Sequence, residues 1–120
     1  MPSMYVNVSK IDQEKKNVLV EKLYDAAAPV LKAPHIYTFV KEYETLYENG
    51  KPVADQKLVV VNIEASPTKE EQVNSLAEHM LGAVKEVLGE DKNLTVVFHD
   101  NGLDRIAIGG KTIATSMAKK

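Results

Sequence analysis

The sequence reads twice, and that duplication most constrains its fold. A short alternating run, a helical stripe and a second alternating run fill residues 2–52, and the same order returns over residues 57–115. In the first unit, PSMYVNV (2–8) sets Met4, Val6 and Val8 on one face of a strand. Ser9 and Asp12 have capping-box spacing, and Asp12 is the expected helix N-cap. From Asp12 to about Leu31 the apolar residues Leu19, Leu23, Ala26 and Val30 step by four, three and four, one face of a helix. Pro29 should kink this helix or tighten its last turn. APHIYTFVKEYETLY then alternates, which predicts a strand from about Ile36 to Leu46 with Tyr37, Phe39, Lys41 and Tyr43 on one side. Asn49-Gly50 is a strong turn signal.

In the second unit KLVVVNIEA (57–65) is a nearly continuous β-branched run, the pattern of a central strand buried on both faces. Ser66-Pro67 predicts a helix start with Pro67 at the first helical position. Glu70 and Glu71 suit the dipole of the first turn. Val73, Leu76, Ala77, Met80, Val84 and Val87 form the helical stripe, and Gly89 is the expected left-handed stop. NLTVVFH (93–99) predicts a strand, DNG a turn, and RIAIGGKTIA one or two short closing strands. Asp12 and Thr68 are 56 residues apart, and Pro34 and Asp91 are 57 apart, so one supersecondary unit is duplicated.

Each unit predicts a right-handed parallel crossover. The expected fold class is α/β (α+β): one domain over residues 1–120, with a four-stranded mixed sheet carrying two helices on one face and short extra strands at its edges. Helices cover only that face, yet KLVVVNIEA is apolar on both, so other subunits are expected to cover the second.

Composition narrows the function classes. Fifteen basic and 17 acidic residues give a net charge of −2, which offers nothing to attract nucleic acid or an anionic membrane. No apolar run approaches the roughly 20 residues of a membrane-spanning helix, and the N-terminus lacks the layout of a signal peptide. The chain has no cysteine, which removes disulfides, thiolate nucleophiles and Cys-based metal sites and is compatible with a cytoplasmic location.

Residues from both units resemble the tautomerase superfamily, which includes 4-oxalocrotonate tautomerase and macrophage migration inhibitory factor. The resemblance rests on Pro2 at a strand start, DQEKKNVLVEKLYDAAAPVL, LKAPHIYTFVKEY, SPTKEEQVNSLAEHML and IGGKTIA. The length and the YETLYENG insertion are most similar to an uncharacterised bacterial branch. The resemblance implies duplicated β-α-β units, a homotrimer, no cofactor, removal of Met1, and the amine of Pro2 as catalytic base. It also implies that Lys32, in KAP, binds a substrate carboxylate. Lys10 lies near one family arginine. The other arginine falls near Phe39, and a pocket tyrosine or asparagine falls near Thr95 and Val97, so these groups are missing. Arg105, the only arginine, is a candidate to compensate from a neighbouring subunit.

Enol–keto tautomerisation needs a base effective near neutrality. A free secondary amine is too basic; burial and a nearby cation both disfavour its charged form. Met4, Val6, Tyr37, Phe39 and Ile63 are the expected apolar walls, Lys32 the cation, and a backbone N–H near Ile63-Glu64 the donor to the enolate oxygen. The substrate-binding set is therefore Lys32, Ile63, Tyr37 and Arg105, around a small carboxylate-bearing substrate.

Plainer readings stand beside these. Pro2 is also an ordinary strand-start proline, Lys32 a solvated helix-end lysine, and Arg105 a surface or interface ion-pairing residue. His35, His79 and His99 share no metal-ligand spacing, and Gly109-Gly110-Lys111-Thr112 lacks the full phosphate-loop pattern. Two classes remain open: a cofactor-independent tautomerase acting on a small 2-oxo acid or its enol, and a non-catalytic oligomeric binding module on the same scaffold. The second unit starts at Lys57-Leu58, an internal position, so each chain has at most one proline-amine site.

Overall fold

In the computed structural model, residues 2–118 are described. Met1, on whose removal the expected chemistry depends, lies outside them. The first unit runs β1 (Ser3–Ser9), α1 (Gln13–Leu31), β2 (Tyr37–Tyr43), then a hairpin of β3 (Tyr47–Glu48) and β4 (Lys51–Pro52). The second runs β5 (Leu58–Ala65), α2 (Glu70–Leu88), β6 (Asn93–Asp100), a hairpin of β7 (Ala107–Ile108) and β8 (Lys111–Thr112), and α3 (Ile113–Ala118).

The sheet order is β2-β1-β5-β6. Each unit pairs its own strands in parallel, and β1 meets β5 antiparallel. The two 19-residue helices start 57 positions apart. The same shift carries Tyr5 onto Asn62, its cross-strand partner, so a pseudo-twofold axis passes between β1 and β5 at that pair.

Strand alternation sorts side chains between two faces. Met4, Val6 and Val8 of β1 and Val59, Val61, Ile63 and Ala65 of β5 are buried in one cluster with Leu19, Leu23 and Ala27 of α1 and Leu76, Met80, Ala83 and Val84 of α2. Each fully buried Val, Leu, Ile or Met contributes about 2 kcal/mol of transfer free energy. The other face is open. There Val60 and Asn62 are half-buried and Tyr5, Phe39, Thr95 and Val97 exposed. The rings of Tyr5 and Phe39 stack with centroids 5.2 Å apart and planes 10° apart.

Several boundaries differ from the sequence reading, each for a local reason. β2 stops at Tyr43, three residues short of Leu46. The Tyr43 hydroxyl donates to the Leu58 carbonyl at 2.7 Å, and Gln56 Nε2 to the Glu44 carbonyl at 2.7 Å, which turns the chain out of the sheet. YETLYENG is not an insertion but the first unit's copy of the terminal hairpin. Val53 N–H donates to Leu46 O at 2.9 Å as Ile113 N–H does to Ile106 O at 2.8 Å. Its turn uses Asn49 (φ 53°) and Gly50 (φ 80°), the paired positive φ of a tight hairpin. Pro67 does not open α2. The Thr68 hydroxyl donates to Ser66 O, and Gln72 Oε1 accepts from the N–H of the N-cap Lys69, so the helix starts at Glu70. After β8 the last described residues form the helix α3.

Asp12 caps α1 by accepting from Lys15 N–H at 2.8 Å. The first crossover is tied by Glu42, whose carboxylate accepts from Ile11 N–H at 2.8 Å and from Lys16 Nζ at 3.0 Å. The backbone donor first, and then Lys16, lower its pKa. Pro29 lies inside α1, which continues to Leu31. Among the described residues no helix is long and apolar enough to cross a membrane.

Candidate active site

β1 lies between β2 and β5, where an interior proline would delete a ladder hydrogen bond. Pro2 avoids this by standing just before the strand. It is buried, and its carbonyl accepts from Tyr37 N–H at 3.2 Å. The next residue, Ser3, faces Tyr37 on one side and Glu64 on the other. The start of β1, the start of β2 and the end of β5 thus meet around Pro2.

The sequence-derived site residues fall on different surfaces of this corner. Tyr37 is bonded to Pro2 through its backbone, and its side chain is 48% exposed on the open face. Ile63 is fully buried on the helix side and paired with Met4 and Phe98. Its backbone amide lies inside a two-sided ladder, so Ile63 supports the corner from the core. Met4, Val6 and Ile63 face the helices while Tyr37 and Phe39 face away, so these five do not wall one pocket. Period-two alternation separates them.

Lys32 is exposed at the C-cap of α1, in the left-handed conformation (φ 47°, ψ 43°), with its N–H on Ala28 O at 3.0 Å. The twin helix α2 ends instead on Gly89 at φ 131° and ψ 149°, an extended positive-φ conformation and not the expected left-handed stop, so the two caps differ in backbone as well as in residue. Left-handed backbone disfavours any side chain with a Cβ.

Arg105 is exposed on the loop after β6, its Nε 4.0 Å from Asp104. With Glu64, Asn101, Ile106 and Ala107 it lines a cavity of about 350 Å³. Glu64 faces Ser3 across β1–β5, which sets this cavity at the Pro2 end of the sheet. The sequence points to Ile63-Glu64 only for a backbone N–H, and neither the Glu64 side chain nor Asn101 is among its expected site groups. The signal available was Glu64, the one charged residue in the strand LVVVNIEA. Lys10 is exposed directly after β1. The position near the second family arginine is the stacked Phe39.

No family model and no curated protein matches the chain. Among solved structures, it is similar to a fused 4-OT solved as a wild-type asymmetric trimer, at TM-score 0.83 and 22% identity over 96% of this chain and 98% of that one. It is similar to the macrophage migration inhibitory factor of Toxoplasma gondii, at TM-score 0.75 and 12% identity over 92% of this chain and 98% of that one. A member of the cis-3-chloroacrylic acid dehalogenase family matches at TM-score 0.75 and 19% identity over 92% of this chain and 82% of that one. All three are tautomerase-superfamily proteins. At these identities the likeness is one of architecture, and the chain has the tautomerase-superfamily fold, built from two β-α-β-hairpin units around a pseudo-twofold axis.

Proposed function

We propose that the protein is a cofactor-independent tautomerase that moves a proton within a small 2-oxo acid or its enol, with the Pro2 nitrogen as base. The observation that carries this reading is the setting of Pro2. It is a buried proline at the mouth of a central strand, pinned through its carbonyl by Tyr37. Removal of Met1 turns that nitrogen into a secondary amine, and burial favours its neutral, proton-accepting form. The base takes a proton from carbon or from the enol hydroxyl and returns it to the other atom, so no external reductant or oxidant is needed. Lys32 and Arg105 are the proposed carboxylate anchors and Tyr37 the flanking aromatic wall, while Ile63 supports the corner from the core and does not touch substrate. The backbone conformation of Lys32 supports its role, because a strained non-glycine residue is kept where the twin helix has Gly89.

The active assembly in this reading is a cytoplasmic homotrimer. One sheet face lacks a cover, with Phe39 55% exposed on it. The fused 4-OT neighbours are themselves trimers. The molecule is elongated, 53 × 28 × 28 Å, and its hairpins and α3 pack mainly on themselves. A second reading, a non-catalytic oligomeric binding module, is favoured by the aromatic Phe39 and by Thr95 and Val97, which occupy positions where relatives carry polar pocket groups. Tautomerisation of phenylpyruvate and 2-hydroxymuconate by wild type and Pro2→Ala separates the two. The enzyme reading expects a rate loss of about 100-fold or more, the usual scale for removing a positioned base. Equal rates leave only the binding module.

A further inference from the structure

The pseudo-twofold axis gives the Pro2 corner a twin. In the second unit Lys57 stands directly before β5, as Pro2 stands before β1. Its carbonyl accepts from Asn93 N–H, the first residue of β6, at 2.9 Å, just as Pro2 O accepts from Tyr37. The first-unit hairpin lies over this corner, as the second-unit hairpin lies over the other: Leu46 and Tyr47 line one cavity and Ile106 and Ala107 the other. The twin cavity measures about 650 Å³, against about 350 Å³ at the Glu64–Arg105 corner. No backbone amine exists there, so duplication has left a larger space without the proline's chemistry.

The walls of this space define what fits it. Leu46, Tyr47, Val53 and Leu58 form an apolar side. Lys57, Lys85 and Lys92 bring three cations, and Glu48, Asp55, Glu90 and Asp91 four carboxylates. Two cations are already engaged: Lys57 with Asp55 at 3.7 Å, and Lys92 Nζ with Gln56 O at 3.4 Å. Lys85, half-buried on the last turn of α2, makes no side-chain hydrogen bond or ion pair among the described residues; nor do Glu90 and Asp91 on the following turn. A plain anion would meet Lys85 but also a lining of net negative charge, and a plain amine would leave Lys85 unmatched. A small zwitterion with an apolar body satisfies the cation, the carboxylates and the apolar side together.

From this arrangement we infer that the cavity at the start of β5 is a second, non-catalytic site for a small apolar zwitterion of the amino-acid type. The site is independent of the reading of Pro2. Its ligand carboxylate goes to Lys85, its ammonium to the Glu90–Asp91 turn, and its apolar group to Leu46, Tyr47 and Val53.

The test is titration of the full-length ¹⁵N-labelled chain with three probes that share a phenyl group: L-phenylalanine, 3-phenylpropionate and 2-phenylethylamine. L-Phenylalanine is expected to shift the backbone amides of Tyr47, Lys57, Lys92 and Asn93 saturably. The two singly charged probes should bind about tenfold more weakly, the equivalent of about 1.4 kcal/mol. Lys85→Met should weaken L-phenylalanine binding by a similar factor. If that variant does not fold, Tyr47→Ser on the exposed hairpin replaces it, with the same loss expected. No saturable shift, shifts confined to Tyr37, Glu64 and Arg105, equal binding of the three probes, or binding unchanged in the folded variant would each overturn the inference.

Discussion

Lys32→Gly separates what the α1 C-cap costs from what it does. Lys32 holds φ 47° and ψ 43°, a region that costs a residue with a Cβ about 1–2 kcal/mol. Glycine removes that cost but gives about 0.4–1 kcal/mol back through the larger freedom of its unfolded chain. The net expectation is a gain of about 0.5–1 kcal/mol for Lys32→Gly. Lys32→Ala keeps both the Cβ and the strain and should lie below the glycine variant by about that difference. Denaturant unfolding at one fixed protein concentration reads both, since assembly would otherwise shift the apparent stability. The midpoint should move with an unchanged slope. Both variants lose the ammonium, so both should raise KM for a carboxylate substrate. A glycine variant no more stable than the alanine one would refute the strain argument, and an unchanged KM in both would remove Lys32 from the site.

Acid should release the first crossover. The Glu42 carboxylate is stabilised in the folded state by Ile11 N–H and then Lys16, so its folded pKa lies below the ordinary value of 4.5. Its contribution is therefore full above that value and fades as pH falls below it; in Glu42→Gln this part of the stability–pH curve should flatten, as read by thermal melts from pH 6 to 3. Burial raises the Tyr43 hydroxyl pKa above 10.0, so stability should fall as pH rises past that value, and Tyr43→Phe should blunt the fall. Leu23, fully buried in α1, should cost about 2–5 kcal/mol when cut to alanine, measured by chemical denaturation. Phe39→Asp should yield a monomeric mass in light scattering where wild type gives a trimer; a monomeric wild type at micromolar concentration would sink the trimer reading.

The architecture was legible because the repeat is strong. The four main strands and both long helices lie close to their expected spans, since β-branched runs and three-to-four-residue stripes state their periods plainly. What the sequence hid is local and mostly polar. The start of α2 slid from Pro67 to Glu70 because side-chain bonds of Thr68 and Gln72 settle the turn. YETLYENG passed for an insertion because the two hairpins share geometry but little sequence. Asn49-Gly50 matches Gly109-Gly110 only in backbone sign. At the site, the alternation that marks the strands also divides the expected apolar walls between two faces, Met4, Val6 and Ile63 on one and Tyr37 and Phe39 on the other. The Glu64 side chain and Asn101 are not legible as site groups, because the β1–β5 register sets Glu64 opposite Ser3 and the loop after β6 brings Asn101 and Arg105 beside it.

The proposed chemistry depends on one nitrogen, and one comparison isolates it. Two samples of the wild-type chain are prepared, one processed to Pro2 and one retaining a residue before it, each verified by intact mass. Their side chains are otherwise the same; only the Pro2 nitrogen differs, amine in the first and amide in the second. Phenylpyruvate tautomerisation should be about 100-fold or more faster in the processed sample if the Pro2 amine is the base. Equal rates in the two samples would contradict that role.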